Sequence, residues 1–153
     1  NETTLSAGAT MDAFIARFTS AGALVWVKRA GSALGETQPY AVSAYGNDTF
    51  VVGGYFTGTL ILGPGEAGEN EVEAVAGQDL FVARFDSDGD AVTVCHGGGN
   101  GSQTARDVST APGDDFMAVG AFDGPVTVGI DSLLPVSLTT SGGWDLLVSR
   151  LSE

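Results

Sequence analysis

The sequence predicts an all-β protein built from repeated units, and three observations support this fold class. A seven-residue motif, Asp12-Ala-Phe-Ile-Ala-Arg-Phe18, returns 67 residues later at 79–85 and again 66 residues later at 145–151. Apolar residues alternate or run together in short segments, as they do in β-strands, and no segment shows the apolar spacing of a helix. The 23 glycines and the low charged content of 16% suit a protein with many tight turns.

The period of the motif divides the chain into a single repeat array covering residues 1–153. We expect unit 1 at residues 12–78, unit 2 at 79–144 and a partial unit 3 at 145–153, with residues 1–11 as the end of a preceding unit. The repeat boundaries do not coincide with the ends of the sequence, because the sequence opens just before one copy of the motif and stops just after the third.

Each unit is predicted to contain about six short strands separated by turn residues such as Asp-Gly, Gly-Asn and Pro-Gly. In unit 1 we expect strands at 12–18, 23–29, 41–43, 50–56, 60–63 and 71–75. In unit 2 the matching strands lie at 79–85, 90–96, 107–109, 116–122, 126–129 and 136–139. Residues 3–6 fall in the phase of the last strand of a unit, so we expect a strand there as well.

The motif strand is apolar on both of its faces. Alternation along a strand puts Phe14 and Phe18 on one face and Ala13 and Ile15 on the other. A strand of this kind needs cover on both sides, which stacked or radially packed sheets supply.

Composition limits the function. The net charge of −13 repels nucleic acids and anionic membranes, and no run approaches the roughly 18 apolar residues of a membrane helix. Residues 1–4 do not resemble a signal peptide, which is expected either of a processed chain or of an excised fragment. The single cysteine, Cys95, excludes an internal disulfide, and its neighbour His96 points to the opposite face of a strand, so the two do not form a nucleophile and base.

The motif is followed by a glycine, an apolar strand with Trp26, Ala41-Val-Ser43 and Asp48-Thr-Phe-Val-Val-Gly-Gly-Tyr-Phe56. In this order the segments resemble the bacterial β-propeller repeats of the SBBP type, named for seven-bladed propellers, and the resemblance spans residues 12–151. It implies four-stranded blades in secreted or surface-attached bacterial proteins without catalysis. The predicted fold is therefore about two propeller-type blades of antiparallel sheet with extra hairpins, open-ended rather than closed into a ring within one chain.

In terms of blades, residues 40–46 and 49–57 are expected to be the first two strands of one blade, and 79–85 and 90–97 the last two. Open ends expose unpaired backbone groups and apolar faces. Three arrangements would cover these ends: the chain is part of a longer one, copies close into a ring, or copies add head to tail into a filament. The residues expected at such an interface are Leu5, Phe14, Ile15, Phe18, Leu146, Leu147, Val148 and Leu151.

The leading functional prediction is a non-catalytic, extracellular or cell-surface scaffolding protein that self-associates through its open ends. No enzyme is expected, because nothing singles out one carboxylate pair among 19 acidic residues. The alternative is a glycan-binding, lectin-like module of a secreted or surface propeller. Aromatic residues that could stack on sugars are Trp26, Tyr40, Tyr45, Tyr55 and Trp144, although aromatics on strands more often belong to the core.

Two further sets of residues are candidate sites. Asp86, Asp88 and Asp90 place oxygen ligands at alternate positions, as calcium loops do, but a plain hairpin turn is favoured because unit 1 has no carboxylates there. No other cofactor is expected. Arg17, Arg84 and Arg150 occupy the same position in the three motifs, and we expect each to pair with a carboxylate of a neighbouring unit.

Overall fold

A computed structural model describes residues 3–8, 10–32, 34–45, 48–111, 115–129 and 134–151, without the side chain of Tyr45. These residues form thirteen strands and contain no helix. In chain order the strands are β1 (Ala13–Phe18), β2 (Leu24–Gly31), β3 (Thr37–Tyr45), β4 (Thr49–Phe56), β5 (Thr59–Leu62), β6 (Asn70–Glu73), β7 (Asp79–Phe85), β8 (Ala91–Gly98), β9 (Gln103–Thr110), β10 (Phe116–Phe122), β11 (Val126–Val128), β12 (Val136–Leu138) and β13 (Asp145–Leu151).

The strands form three antiparallel sheets, none of which closes on itself. The N-terminal sheet has the order β1-β2-β5-β6, the central sheet β12-β11-β8-β7-β4-β3, and the C-terminal sheet β13-β10-β9. The prediction of an open-ended, all-β array of antiparallel sheets with extra hairpins is confirmed. The meander β3-β4-β7-β8 begins within residues 12–78 and ends within residues 79–144.

The two additional hairpins, β5-β6 and β11-β12, each pair with the strand that follows a motif strand. β5 pairs with β2, with Ala30 opposite Leu62, and the equivalent β11 pairs with β8, with Gly97 opposite Val128. In each unit the hairpin therefore stays in the sheet of that unit's motif strand, while the intervening pair of strands, β3-β4 or β9-β10, belongs to the next sheet. Repetition in this chain extends from the strands to the way in which neighbouring sheets are linked.

Two apolar cores lie between the three sheets. The first lies between the N-terminal and central sheets, and the second lies between the central and C-terminal sheets. β7 contributes to both cores, because Phe81 and Phe85 point into the first while Leu80 and Val82 point into the second. The motif strand in the middle of the chain thus has the cover on both sides that its composition requires.

The prediction of a strand at residues 3–6 is wrong, since the chain there makes no ladder. Side chains hold this segment instead. Arg29 donates to the Ser6 carbonyl oxygen at 3.0 Å, and the Gly8 N–H donates to Asp12 Oδ2 at 2.6 Å. These bonds fix the chain at isolated points, where a strand needs a continuous backbone partner.

The aspartate that opens each motif closes the loop ahead of it. Asp12, Asp79 and Asp145 each accept a hydrogen bond from the backbone N–H four residues earlier, at 2.6, 2.7 and 3.3 Å. Asp79 is completely buried, and this burial raises its pKa above the usual 3.8, although the N–H of Val75 acts in the opposite direction.

A glycine on the next strand makes room for this aspartate. A Cβ atom added to Gly98 would overlap Asp79 Oδ2, and a Cβ atom added to Gly31 would overlap the carboxylate of Asp12 in the same way. The repeated aspartate and the repeated glycine are therefore two halves of one packing arrangement.

Candidate assembly surfaces

Each sheet has two faces, which the central motif strand β7 defines. We call the face turned towards the preceding sheet, represented by Phe81 and Phe85, the leading face. The opposite face, represented by Leu80 and Val82, is the trailing face. Both are covered in the central sheet, where Phe81 and Phe85 are each 2% exposed.

The leading face of the N-terminal sheet is uncovered. Phe14 and Phe18 on β1 are the equivalents of Phe81 and Phe85, yet they are 69% and 59% exposed. Val25 on the neighbouring strand β2 is also exposed. Two phenylalanines that are core residues in the middle of the chain are therefore surface residues at this end.

The trailing face of the C-terminal sheet is also uncovered. Leu146 and Val148 on β13 are the equivalents of Leu80 and Val82, and they are 75% and 55% exposed. Met117 and Val119 on β10 lie beside them, with Val119 directly opposite Val148. The chain thus has one uncovered leading face and one uncovered trailing face. A trailing face and a leading face also meet at each of its two internal cores.

The structure divides the residues predicted for an assembly interface into two groups. Five are exposed, namely Leu5, Phe14, Phe18, Leu146 and Val148. The other three, Ile15, Leu147 and Leu151, pack into cores of this chain because strand alternation turns them inward. Sequence reasoning missed Met117 and Val119, which the same alternation on β10 would have assigned to the surface.

Both motif strands at the ends also have a free edge. Among the described residues β1 pairs only with β2, and β13 pairs only with β10, whereas β7 has a partner on each side. A groove runs along the free edge of β1 towards β3, and its lining includes Ala16, Tyr40 and the exposed Val42. Backbone N–H and C=O groups along such an edge are available to another strand.

The three motif arginines all lie on the trailing side of their sheets. Arg17 reaches the central sheet, where it donates to Asp48 at 2.7 Å and to the Ser87 carbonyl oxygen at 3.0 Å. Arg150 donates through Nε to Asp115 of its own sheet at 2.7 Å. Arg84 is half-buried on β7, opposite Val51 of β4.

The aspartates of the β7–β8 turn are engaged within the protein. Asp86 Oδ1 accepts the backbone N–H groups of Asp88 and Asp90 at 2.9 and 3.0 Å, as in an Asx turn. Asp90 pairs with Lys28 at 3.1 Å, and Lys28 also bonds to Glu66, which is the main cause of its raised pKa. Within the described part of the chain, no three His, Cys, Asp or Glu side chains are placed to hold a metal ion. Calcium at this turn stays a prediction.

The aromatic candidates for sugar stacking do not form one platform. Trp26 stacks on Phe50 at 5.9 Å and donates to the Ser87 carbonyl oxygen, while Tyr55 is buried. Tyr40 on β3 lies under the Arg106 guanidinium at 4.8 Å, and Trp144 is exposed next to β13, in a different sheet. The side chain of Tyr45 lies outside the described residues. Glycan binding stays a prediction.

No protein-family model matches this chain, and no curated protein is significantly similar to it. The resemblance of its motifs to propeller repeats therefore remains an interpretation of the residues themselves. In the part of the chain that the structure covers, no helix has the length and apolarity to cross a membrane.

Proposed function

We propose that this chain is a non-catalytic structural or scaffolding protein whose copies associate head to tail through the bare trailing face of one copy and the bare leading face of the next. Such a contact is heterologous, so it forms a ring if the rotation between copies closes and a filament if it does not. An extracellular or cell-surface location is part of the proposal and rests on the resemblance of the motif to repeats of secreted proteins.

The observation that carries this proposal is the equivalence between the bare faces and the covered ones. At both internal cores the trailing face of one sheet packs on the leading face of the next. Phe14 and Phe18 repeat the leading residues of β7, and Leu146 and Val148 repeat its trailing residues. A second copy therefore offers a surface of the type against which each bare face is already known to pack in this chain.

The side chains involved are large enough to matter energetically. Phe14 and Phe18 are each more than half exposed, and Met117 and Val119 are each 38% exposed; covering these side chains contributes on the order of 1 kcal/mol apiece. The net charge of −13 opposes association by general repulsion. Apolar contact has to exceed this repulsion, so association is expected to strengthen with salt.

Light scattering and negative-stain imaging of the pure chain test the proposal. The wild-type chain is expected to form a ring or polymer, and the single variants Phe14→Asp and Met117→Asp are expected to stay monomeric, because Phe14 lies on the bare leading face and Met117 on the bare trailing face. Leu34→Asp is the matched control, because Leu34 is 95% exposed in the loop between β2 and β3, outside the strands that carry the two faces, and its replacement adds the same charge. This control should assemble as the wild type does.

Mixing the two interface variants sharpens the test. Phe14→Asp retains an intact trailing face and Met117→Asp retains an intact leading face, so the mixture should form dimers but no assembly larger than a dimer. A wild-type chain that stays monomeric at millimolar concentration would contradict the proposal. Assembly of both variants at the wild-type rate would contradict it equally.

A further inference from the structure

We infer that copies join by exchange of a strand: β1 of one copy replaces β13 beside β10 of another copy. This inference rests on the proposed function and specifies how its two surfaces are covered: the leading face of β1 packs on the central sheet of the other copy, and the trailing face of β10 packs on the central sheet of the incoming copy. It makes β13 a temporary occupant of a position that a second copy fills in the assembly.

The three motif strands differ in the partners that they have. In the central sheet β7 lies between β4 and β8. Among the described residues β1 has the equivalent of β8, namely β2, but no equivalent of β4. In the same part of the chain β13 has the equivalent of β4, namely β10, but no equivalent of β8. Each terminal copy of the strand therefore has the neighbour that the other lacks.

Exchange restores the complete sheet. If β1 of a second copy takes the place of β13, the joined sheet has the order β9-β10-β1-β2-β5-β6. This order repeats the central sheet, β3-β4-β7-β8-β11-β12, strand for strand. Addition of β1 to the free edge of β13 would instead give a sheet with one motif strand too many.

The register of the exchanged pair follows from the central sheet. There Gly53 on β4 lies opposite Val82 on β7, and the equivalent residues are Val119 on β10 and Ile15 on β1. Val119 now lies opposite Val148 of β13. Because the two registers coincide, β10 can exchange one ladder for an equivalent one without shifting.

Side-chain packing favours the incoming strand. Phe14 and Phe18 of the second copy would occupy the places in the second core where Leu147 and Leu151 now pack. Two exposed aromatic rings become buried, and the exposed Leu146 leaves the sheet. The trailing residue Ile15 is already covered by the central sheet of its own copy.

The charges are also complementary. Asp115 has a side chain that is only 10% exposed, and it pairs with Arg150 on β13. Arg17, which donates to Asp48 within its own copy, occupies the same motif position on β1, so the exchange brings a guanidinium beside Asp115 as Arg150 leaves. A buried carboxylate without a cation would be costly, and the incoming strand avoids this.

Cysteine pairs test the exchange in the full chain carrying Cys95→Ala. One variant has Ile15→Cys with Val119→Cys, and its control has Val148→Cys with Val119→Cys. A second set places the pairs one residue earlier on β10, with Ala118→Cys combined with Ala16→Cys or with Ser149→Cys. Neighbouring positions are used because non-hydrogen-bonded and hydrogen-bonded pairs alternate along the ladder and differ in separation.

Under mild oxidation the exchange pairs should give a ladder of covalently linked chains on a non-reducing gel. The control pairs should give linked monomers, because they join β13 to β10 within one chain. Locking β13 in this way should also prevent assembly, and reduction should restore it. Assembly of the locked chain at the rate of its reduced form would overturn strand exchange while leaving the proposed function intact. Failure of the reduced chain and of the wild type to assemble would overturn both.

Discussion

Replacement of Gly98 by alanine should destabilise this protein far more than removal of a glycine usually does. The added Cβ overlaps Asp79 Oδ2, so the carboxylate has to move. Asp79 is completely buried and accepts a hydrogen bond from the Val75 N–H at 2.7 Å, and the backbone N–H groups of Ala76 and Gly99 also favour its charged form.

The size of the effect follows from these bonds. Hydrogen bonds to a charged group contribute about 1.5–3 kcal/mol each, and a moved carboxylate keeps some of them. Loss of one or two predicts a destabilisation of about 1.5–6 kcal/mol for Gly98→Ala, a large part of the typical 5–15 kcal/mol stability of a domain. Gly68→Ala is the control, because its Cβ would meet Asp90 at an ordinary 3.6 Å. We expect a change below about 1 kcal/mol there.

Urea unfolding followed by tryptophan fluorescence gives the free energies of unfolding. A double-mutant cycle with Asp79→Ala isolates the cause, since Gly98→Ala should cost less than about 1 kcal/mol once the carboxylate is gone. If Gly98→Ala has the same cost with and without Asp79, the overlap is not the reason for the glycine. A cost near that of Gly68→Ala in the wild-type background would refute the reasoning as well.

Three further predictions concern single contacts and charge. Trp26→Phe removes the indole donor to the Ser87 carbonyl oxygen and should lower the free energy of unfolding by about 1 kcal/mol, whereas Trp144→Phe should leave it nearly unchanged. Lys28 has a raised pKa, chiefly because it bonds to Glu66. Its contribution to the free energy of unfolding is therefore complete below pH 10.5 and is lost as pH rises through the folded-state pKa. The stability difference between the wild type and Lys28→Met should therefore be constant between pH 8 and 10 and shrink above pH 10.5; a difference that grows there would contradict this assignment. Raising NaCl from about 10 mM to 500 mM should speed assembly, as followed by light scattering, because it screens the repulsion between chains of charge −13; slower assembly at high salt would indicate that ion pairs hold the copies together.

Much of the fold could be predicted from the sequence because the signals are local or repeated. The motif period gave the equivalence of β1, β7 and β13, and alternation along each strand gave the two apolar faces. The hairpin within residues 59–73 was also predicted, since alternating apolar residues flank turn residues. These features depend on a few neighbouring residues and on their recurrence.

The pairing of the extra hairpins could not be predicted in the same way. β5 joins β2 through residues more than 30 positions apart, Ala30 and Leu62, and no local pattern specifies this partner. The sequence also could not show which apolar face of a strand packs on the next sheet, because alternation does not distinguish whether Phe14 or Ile15 points towards it. Only the arrangement of the three sheets separates the exposed members of the predicted interface from those that pack inside.

The equivalence of the bare and covered faces is tested most directly by the native mass of the pure chain as a function of concentration, combined with covalent labelling of exposed side chains. Assemblies larger than the 15.5 kDa chain should appear, and Phe14 and Met117 should lose their labelling as the mass increases, while Leu34 keeps it. A constant mass of one chain, or assemblies in which Phe14 and Met117 are labelled as strongly as in the monomer, would contradict the proposed contact.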